Sequence, residues 1–432
     1  MKKNYLLIGI LVPLAFTACS IIKPSTNKNT TGQYGGNPKF LFFSDIHLNT
    51  ASDSTAYGLD TGMGLWTIFL AKVDSILGSG NAPEFAVYTG DLPAHYSCSE
   101  GCYLPPNERQ NHNKDLATIL TGLRDLFTKH HIPFFYVPGN NDALAGDYYS
   151  FADENQLTPL SLVSESVNPY PALNINLSGN IAPCMVSNTH PNMGYYSAKP
   201  VEGLRIIGLN TVIYSKKFLT VDSTNQTDDG NEEMNWLAAE LNDAEVKGDK
   251  VYIAMHIPPG TDAYKHNKTP DKSSMWVRLP NQPVSWENRF LALVSHHQTA
   301  IAGIFYGHTH MDELRRLYDS TGRHITAVAI SSPGVTPQHN NNPGFKLVEY
   351  DKQSKAVLDF TTYYTHPTAT TWGNNSYSFN RVFSFPAGNS LYNNVCSASL
   401  TYIDRCMNRI YTVMNGVVNY DINSGIEVKY GQ

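Results

Sequence analysis

Short apolar runs and amphipathic stretches alternate along most of the chain. The first run, within 39–44, is continuous and stops at a polar cluster, which is typical of a buried strand. Over 65–77 the apolar residues recur on one helical face, which predicts an amphipathic helix. The same criteria predict strands at 85–88, 133–137, 204–209, 251–254, 300–306, 313–318, 325–330, 345–350 and 356–363, and helices at 116–127, 232–246 and 285–296. The alternation predicts a layered α/β fold, and the short turns between the last strands predict an antiparallel region.

The N-terminal segment has the pattern of a secretory signal. Lys2 and Lys3 precede an apolar run at 5–16, which is followed by small residues directly before Cys19. This run is shorter than the roughly 20 apolar residues that a membrane span requires. The residues before Cys19 resemble a bacterial lipobox, so we expect residues 1–19 to be a lipoprotein-type signal peptide and Cys19 to be lipidated. An ordinary signal peptide is the alternative.

Composition divides the rest of the chain into three parts. Residues 20–37 are rich in Ser, Thr, Asn, Gly and Lys, the composition of a flexible tether. Beyond about 365 the chain becomes rich in Asn, Ser, Thr and Tyr and then shows a helical spacing at 400–414. We therefore predict a catalytic domain at 38–365 and a small C-terminal helical cap at 366–432. The expected location is the periplasmic face of a bacterial membrane, held there only by the N-terminal lipid, or secretion from the cell.

Overall composition excludes two classes of protein. The 432 residues include 31 Lys and Arg against 37 Asp and Glu, a formal charge of -6, and only 16% of the residues are charged. A basic nucleic-acid-binding protein and a charged disordered chain are therefore both excluded.

The cysteines are too few for a disulfide-built scaffold, but in an oxidising compartment those close in sequence are candidates for bridges. We predict the pairs Cys98–Cys102 and Cys396–Cys406, of which the second would tie the cap together. Cys184 is then left over, and we interpret it as a buried thiol that packs like a small apolar side chain.

Five predicted strands are followed by side chains of the types that bind metals. The segments are Asp45-Ile-His47, Gly90-Asp91, Gly139-Asn140-Asn141-Asp142, Met255-His256 and Gly307-His308-Thr309-His310. In an extended chain residues i and i+2 point the same way, so Asp45 and His47 could bind one ion together. The neighbouring glycines permit tight turns that let these segments converge. Mixed imidazole and carboxylate ligands favour zinc, iron, manganese or cobalt over calcium or magnesium.

These segments, in this order, resemble the metal-binding pattern of the calcineurin-like metallophosphoesterases, D-x-H, G-D, G-N-H-[DE], H and G-H-x-H. The resemblance implies a four-layer α/β/β/α sandwich with two mixed sheets and a dinuclear centre at the strand ends. It places one ion on Asp45, His47, His310 and bridging Asp91, and the other on Asp91, Asn140, His256 and His308. Two divalent transition metal ions are therefore expected, with zinc as the first choice and iron or manganese as alternatives. A water activated by these ions would be the nucleophile that attacks a phosphate.

Longer stretches narrow the resemblance. Residues 89–95, 256–260 and 305–313 are similar to acid sphingomyelinase and its sphingomyelinase-like phosphodiesterase relatives. In those relatives the His four residues after the bridging Asp faces the scissile phosphate, and His95 holds this position. The resemblance thus implies an exported phosphodiesterase in which His95 protonates the leaving oxygen. A loop histidine with an ordinary hydrogen bond is the alternative.

One catalytic position departs from the wider family. Asn141 stands where the family has a His that assists the leaving group, and an amide cannot donate a titrating proton. In reading G-N-N-D the chain resembles the endopolyphosphatases of the same superfamily, so a phosphoanhydride hydrolase is the rival interpretation. A non-catalytic phosphate-binding lipoprotein, supported only by Asn141, is a third. The expected partners are small phosphodiester, nucleotide or polyphosphate substrates.

Two loops should form the walls of the cleft. Residues 258–283 start two residues after a predicted ligand, and within them Tyr264, Lys265 and Trp276 are candidate substrate contacts. A cation suits a phosphate, and aromatic rings suit a choline head group. A solvated loop with balanced charges is the alternative. The opposite wall is expected at 92–113.

Overall fold

The computed structural model describes residues 36–96, 103–163, 185–221, 225–262, 273–414 and 426–431. The predicted signal peptide with Cys19 lies outside the described residues, as do most of the tether, Cys98, Cys102, Cys184, Tyr264 and Lys265. Within these described ranges, no helix combines the length and the apolar character that crossing a bilayer requires.

Helices separate many of the earlier strands, whereas later strands follow one another directly. The strands are β1 Lys39–Phe43, β2 Leu48–Asn49, β3 Thr61–Gly62, β4 Phe85–Tyr88, β5 Phe134–Tyr136, β6 Met185–His190, β7 Tyr195–Val201, β8 Leu204–Gly208, β9 Lys250–Ala254, β10 Ile301–Tyr306, β11 Leu314–Tyr318, β12 Ile325–Ser331, β13 Gly344–Tyr350, β14 Val357–Tyr364, β15 Ser376–Ser378 and β16 Glu427–Val428. The helices are α1 Met63–Leu77, α2 Pro106–Lys129, α3 Gln226–Lys247, α4 Trp286–His296, α5 Phe379–Val382, α6 Leu391–Ser397 and α7 Leu400–Ile410.

Two mixed sheets form the centre of the fold. In the first, the strand order is β15-β14-β13-β1-β4-β5, with β1, β4 and β5 parallel and β13 antiparallel to β1. In the second, the order is β16-β11-β12-β10-β9-β8-β7-β6, with β8, β9, β10 and β12 parallel. Antiparallel strands flank this parallel centre on both sides. The prediction of two mixed sheets is confirmed.

Aromatic side chains fill the space between the two sheets. Phe40 and Phe42 of β1 contact Phe305 of β10 edge to face, with ring centroids 5.1 and 5.3 Å apart. Tyr252 of β9 lies 5.5 Å from Phe40. All of these rings are buried, so they form an apolar layer that joins the sheets into a sandwich.

Helices cover the outer faces of the sheets. Phe69 of α1 and Phe127 of α2 pack on Phe43 of β1, with ring centroids 5.6 and 6.3 Å away. Helices α3 and α4 pack on the second sheet and on each other. Gly230 of α3 permits this close approach, because a Cβ there would lie 2.5 Å from the indole of Trp286. The predicted order of layers, α/β/β/α, is confirmed.

Two parts of the fold differ from the predicted boundaries. Helix α2 begins at Pro106 rather than at 116, so the predicted wall at 92–113 is partly helical. Its first turns carry polar side chains, which hid them from the apolar spacing, and proline is well suited to the first helical position. Strands β6 and β7 were not predicted, since their sequences lack a regular apolar alternation. Strand β7 pairs with β8, and β6 pairs with β7, so the two strands extend the edge of the second sheet.

The C-terminal segment contributes to both sheets. Strand β15 pairs with β14, and β16 pairs with β11. Helix α7 buries its apolar face, as its spacing predicted, but it ends at Ile410 rather than at 414. Val413 and Met414 have left-handed φ angles of 48° and 59°, so the helix cannot continue through them to 414.

The predicted Cys396–Cys406 disulfide is wrong for this structure, which holds both residues as thiols. Cys406 lies on the buried face of α7, within the main apolar core. Cys396 on α6 is half-buried beside the hydroxyl of Tyr392, and burial raises the pKa of its thiol. Cys406 is therefore surrounded by apolar side chains, whereas Cys396 lies next to a hydroxyl group.

Candidate metal centre

The carboxyl ends of parallel strands carry the predicted ligands. Asp45 and His47 follow β1, Asp91 follows β4, Asn140 follows β5, His256 follows β9, and His308 and His310 follow β10. The two sheets meet at this edge, because the backbone N–H of His308 lies 3.1 Å from each carboxylate oxygen of Asp45. The structure thus brings all of the predicted ligands into one cluster.

One half of this cluster contains Asp45, His47, Asp91 and His310, which are all buried. The Nε2 atom of His47 lies 3.1 Å from Nε2 of His310 and 3.4 Å from a carboxylate oxygen of Asp91. The Nε2 atom of His310 lies 3.4 Å from a carboxylate oxygen of Asp45. Imidazole and carboxylate donors therefore point to a common centre.

The other half contains Asp91, His256 and His308, whose donor atoms lie within 4.8 Å of one another. The Nε2 atom of His256 is 3.2 Å from Asp91 Oδ2 and 3.0 Å from Asn140 Oδ1. Asp91 belongs to both halves. Its carboxylate is therefore the group that both halves would share if each held an ion.

Left-handed backbone, rather than strand alternation, directs these side chains. The φ angles are 51° at Asp45, 45° at His47, 64° at Asp91, 71° at His308 and 62° at His310. The prediction that Asp45 and His47 share an extended chain is therefore wrong. Left-handed residues other than glycine cost about 1–2 kcal/mol each and are frequent at functional sites.

Two glycines permit the ligand loops to approach each other. A Cβ on Gly139 would lie 2.2 Å from the backbone N and from a carboxylate oxygen of Asp91. A Cβ on Gly307 would lie 2.0 Å from the hydroxyl of Ser44. Both distances are shorter than real Cβ contacts, so a side chain at either position would force the neighbouring loop to move.

Hydrogen bonds to carbonyl groups orient two of the imidazole rings. The Nδ1 atom of His47 is 3.0 Å from the carbonyl oxygen of Pro93, and Nδ1 of His256 is 2.6 Å from that of Thr89. In each ring Nδ1–H donates to the carbonyl, so Nε2 is the nitrogen that faces the cluster and that would bind an ion once it has lost its proton. Metal-binding histidines are held in the same way.

The cluster requires positive charge. Burial raises the pKa of Asp45 to about 7, and the charge of Asp91 contributes to this rise while His256 opposes it. Burial lowers the pKa of His256, but the charges and hydrogen bonds around it, chiefly from Asp91, outweigh burial and raise it to about 9. A divalent cation among these imidazole and carboxylate donors would supply the missing charge. The donor set therefore fits divalent transition metals.

The candidate acid His95 lies beside this cluster. Its ring stacks on that of His47, with centroids 3.9 Å apart, and its side chain is 38% exposed. Asp60 accepts a hydrogen bond from the backbone N–H of His95 at 2.9 Å, and its carboxylate lies 2.7 Å from Nδ1. Burial lowers the pKa of His95, but the hydrogen bond and charge of Asp60 outweigh it, so the net shift is upward.

Asn141 faces the shared carboxylate. Its backbone N–H donates to one oxygen of Asp91 at 2.8 Å, and its side-chain Nδ2 donates to the other at 3.0 Å. The ring of His112 donates from Nε2 to the carbonyl of Asn141 at 2.8 Å, from within the core. Asn141 thus fixes the orientation of Asp91, and it has no titrating proton to deliver.

Asp142 shapes the turn rather than adding to the cluster. Its carboxylate accepts hydrogen bonds from the backbone N–H groups of Asp91, Leu92 and Gly139, and from the hydroxyl of Tyr136. The loops after β4 and β5 are therefore tied to one buried carboxylate.

The sequence predictions missed three residues around the cluster. Asp60 pairs with His95, as described above. His339 stacks on His310 with ring centroids 4.2 Å apart. Asp147 accepts a hydrogen bond from Nδ2 of Asn140 at 2.7 Å. All three lie outside the five metal-binding segments, so the local pattern of those segments did not mark them.

Trp276 was predicted to contact substrate, and this prediction is wrong. Its side chain is only 3% exposed and packs on Tyr214 and Phe290, with ring centroids 4.6 and 5.3 Å away. Its indole N–H donates to the carbonyl of Ile257 at 3.0 Å. Trp276 therefore packs in an apolar cluster with Tyr214 and Phe290 of α4 instead of lining a cleft.

The sequence profile of calcineurin-like phosphoesterases matches residues 38–312. The chain therefore belongs to the calcineurin-like phosphoesterase family, as its motifs predicted. Membership of this family, together with the cluster just described, implies that divalent metals bind here.

Its relatives include acid sphingomyelinase-like phosphodiesterases. "Sphingomyelinase phosphodiesterase D" of Dictyostelium discoideum is 31% identical over 314 residues, which are 72% of this chain and 61% of that protein. Human "cyclic GMP-AMP phosphodiesterase SMPDL3A" is 28% identical over 312 residues, 70% and 60% of the respective chains. Bovine (Bos taurus) "sphingomyelin phosphodiesterase" is 28% identical over 324 residues, which are 70% of this chain and 44% of that protein. The chain thus spans about three fifths of the first two relatives and less than half of the third.

Among solved structures, a dimetal phosphatase from Danio rerio is similar with a TM-score of 0.47 and 15% sequence identity. The similarity covers 79% of this chain and 98% of the other.

Proposed function

We propose that this chain is a metal-dependent phosphodiesterase that hydrolyses small phosphodiesters or nucleotide phosphate bonds. The buried carboxylate of Asp91 is the observation that carries the proposal. It lies 3.4 Å from Nε2 of His47 and 3.2 Å from Nε2 of His256, so one carboxylate serves two groups of donors. Two divalent ions held in this way, zinc in our proposal with iron or manganese as alternatives, would lower the pKa of water and neutralise charge on a phosphate.

His95 would then protonate the leaving oxygen. It is the partly exposed member of a stacked pair whose other member, His47, is buried. Because Asp60 holds Nδ1, the Nε2 edge of His95 is the one left for a substrate. Asp60 also accepts a hydrogen bond from the backbone N–H of His95. Its carboxylate therefore orients the Nε2 edge through both the backbone and the ring.

The names of the relatives support a phosphodiester as the substrate. One relative is named for cyclic GMP-AMP and another for sphingomyelin. The two names share a phosphodiester and differ in the leaving group. We therefore propose that the bond cleaved is a phosphodiester. The experiment below tests a nucleotide and a choline-phosphate lipid as the two possible substrates.

A phosphoanhydride hydrolase acting on polyphosphate is the second candidate, and Asn141 favours it. Its side-chain amide donates to Asp91 at 3.0 Å and provides no acid. A leaving phosphate departs without a proton more readily than an alkoxide does, so an anhydride would tolerate this loss.

A substrate panel distinguishes these candidates. The purified chain would be assayed on bis-nitrophenyl phosphate, a dinucleotide, sphingomyelin, ATP and polyphosphate, with and without chelator, and its metal content measured by mass spectrometry. Diester cleavage that chelation abolishes supports the phosphodiesterase. Cleavage of polyphosphate alone supports the second candidate. Bound metal without turnover of any substrate would favour a non-catalytic phosphate-binding lipoprotein and overturn both.

We also propose that the protein is exported and lipidated at Cys19, on the evidence of the apolar run at 5–16 and the small residues before the cysteine. In that compartment Cys98 and Cys102 would form a disulfide. Incorporation of labelled fatty acid into the wild type and its loss in Cys19→Ser would support the anchor. Equal labelling of both proteins would exclude it.

A further inference from the structure

Asn140 is the only amide among the proposed ligands, and its two ends are not equivalent. The Oδ1 atom can bind a cation, whereas the Nδ2 group can only donate hydrogen bonds. A rotation of the amide by half a turn would present hydrogen atoms to the ion and remove the ligand. The contacts of Asn140 with its neighbours must therefore determine which end of the amide faces the cluster.

Asp147 pairs with one end of this amide in the structure. Its carboxylate accepts a hydrogen bond from Nδ2 of Asn140 at 2.7 Å, while Oδ1 of the same amide lies 3.0 Å from Nε2 of His256. An ionised carboxylate has acceptors only, so it can pair with Nδ2 and not with Oδ1. The amide is thus turned with its oxygen toward the half-cluster of Asp91, His256 and His308.

The backbone around Asp147 is held by contacts that do not involve the side chain of Asn140. The N–H of Tyr148 donates to the carbonyl of Asn140 at 2.8 Å and closes the loop between the two residues. On the other side, the N–H of Leu219 donates to Tyr148 at 2.9 Å, and that of Ser150 donates to Leu219 at 2.8 Å. The backbone that carries Asp147 is therefore held independently of the side chain of Asn140.

We propose that Asp147 is a positioning residue that turns Oδ1 of Asn140 toward one of the two ions, and so supports one half of the centre selectively. This inference rests on the proposed function, since it assumes a pair of ions. The other half-cluster is formed by Asp45, His47, Asp91 and His310 and contains no amide ligand. Loss of Asp147 should therefore weaken the binding of one ion and leave the affinity for the other ion unchanged.

Titration with a metal alone tests this role. The wild type, Asp147→Ala, Asp147→Asn and Glu154→Ala would be stripped with chelator and titrated with Co²⁺, followed by calorimetry and visible absorption. Glu154 is the matched control, because it is an exposed carboxylate on the same segment that pairs with Arg109. We expect two ions in the wild type and in Glu154→Ala. In Asp147→Ala one ion should bind as before and the other about 10- to 100-fold more weakly, the usual range for a residue that orients a ligand.

The remaining variants separate positioning from folding. Asp147→Asn keeps an oxygen that can accept from Nδ2, so it should bind the second ion more tightly than Asp147→Ala does. If Asp147→Ala fails to fold, Asp147→Ser replaces it, since a hydroxyl is too short to reach the amide. Two ions of unchanged affinity in the folded variant, or equal weakening of both, would overturn the role of Asp147. Failure of the wild type to bind any Co²⁺ would instead overturn the metal centre, and this role with it.

Discussion

The imidazole ring of His95 stacks on that of His47, with centroids 3.9 Å apart and an angle of 14° between the rings. His47 is buried within the ligand cluster, whereas His95 is partly exposed. The pair therefore connects the proposed metal centre with the surface. Stacking also fixes the plane of the His95 ring, so that its free edge has a defined direction.

Replacement of His95 should reveal whether it acts as an acid. We expect His95→Ala to lower turnover of diesters with alkyl leaving groups by about 100-fold or more, as is usual for loss of general acid catalysis. Turnover of bis-nitrophenyl phosphate should fall far less, since nitrophenolate leaves without a proton. Steady-state kinetics on both substrates would check this, with His324→Ala as the control at an exposed histidine. Equal losses on both substrates would contradict the role.

Asp60 should act only through His95. Asp60→Ala removes the acceptor that lies 2.7 Å from Nδ1. We therefore expect kcat on alkyl diesters to fall by about 10-fold, which is less than the loss of about 100-fold or more expected when the acid itself is removed. The double variant Asp60→Ala, His95→Ala should be no slower than His95→Ala, because residues that act as a unit are not additive. A double variant that is about 10-fold slower than His95→Ala would show that Asp60 has an independent role.

Gly139 should be irreplaceable at the contact between the two ligand loops. Gly139→Ala would place its Cβ 2.2 Å from the backbone and carboxylate of Asp91, so the loops must move apart. We expect a loss of about 1–3 kcal/mol in the free energy of unfolding, together with loss of bound metal. Gly373→Ala is the matched control, since a Cβ there meets no atom within 4 Å. Normal metal content in Gly139→Ala would show that the loops tolerate the movement.

Glu233 should make the stability of the fold depend on pH. It is buried on α3 and accepts a hydrogen bond from the backbone N–H of Asn210 at 2.6 Å. Burial raises the pKa of Glu233 from 4.5 to about 7, although the hydrogen bonds that it accepts oppose the rise. Between these values the folded protein holds a proton that the unfolded chain has released. The free energy of unfolding should therefore fall by up to about 3 kcal/mol as pH rises through this window.

Urea unfolding of the wild type and Glu233→Gln between pH 4.5 and 8 would measure this contribution. Glutamine keeps an oxygen for the N–H of Asn210 and cannot ionise, so the variant should lose less stability across the window. Parallel pH profiles for the two proteins would show that Glu233 is not the source.

Local patterns were sufficient to predict most of the architecture. The strand at Phe85–Tyr88 and the core of most helices were recognised from apolar spacing, because side chains that share a buried face repeat with the period of the element. The metal-binding segments were equally visible, since each places its ligands within a few residues after a strand. Elements without regular spacing, such as β6 and the first turns of α2, were missed for the same reason.

The amino-acid sequence by itself determined which residue types stand at the strand ends, and with them the family and the set of candidate ligands. Only the tertiary structure decided how these side chains are aimed. Left-handed φ angles turn Asp45 and Asp91 toward the centre, Asp60 and Asp147 hold His95 and Asn140, and Trp276 is drawn into the core. The physical reason is that hydrophobic periodicity is a property of neighbouring residues. The hydrogen-bond partner of a polar side chain instead depends on which loop lies beside it, and the packing of the two sheets determines this.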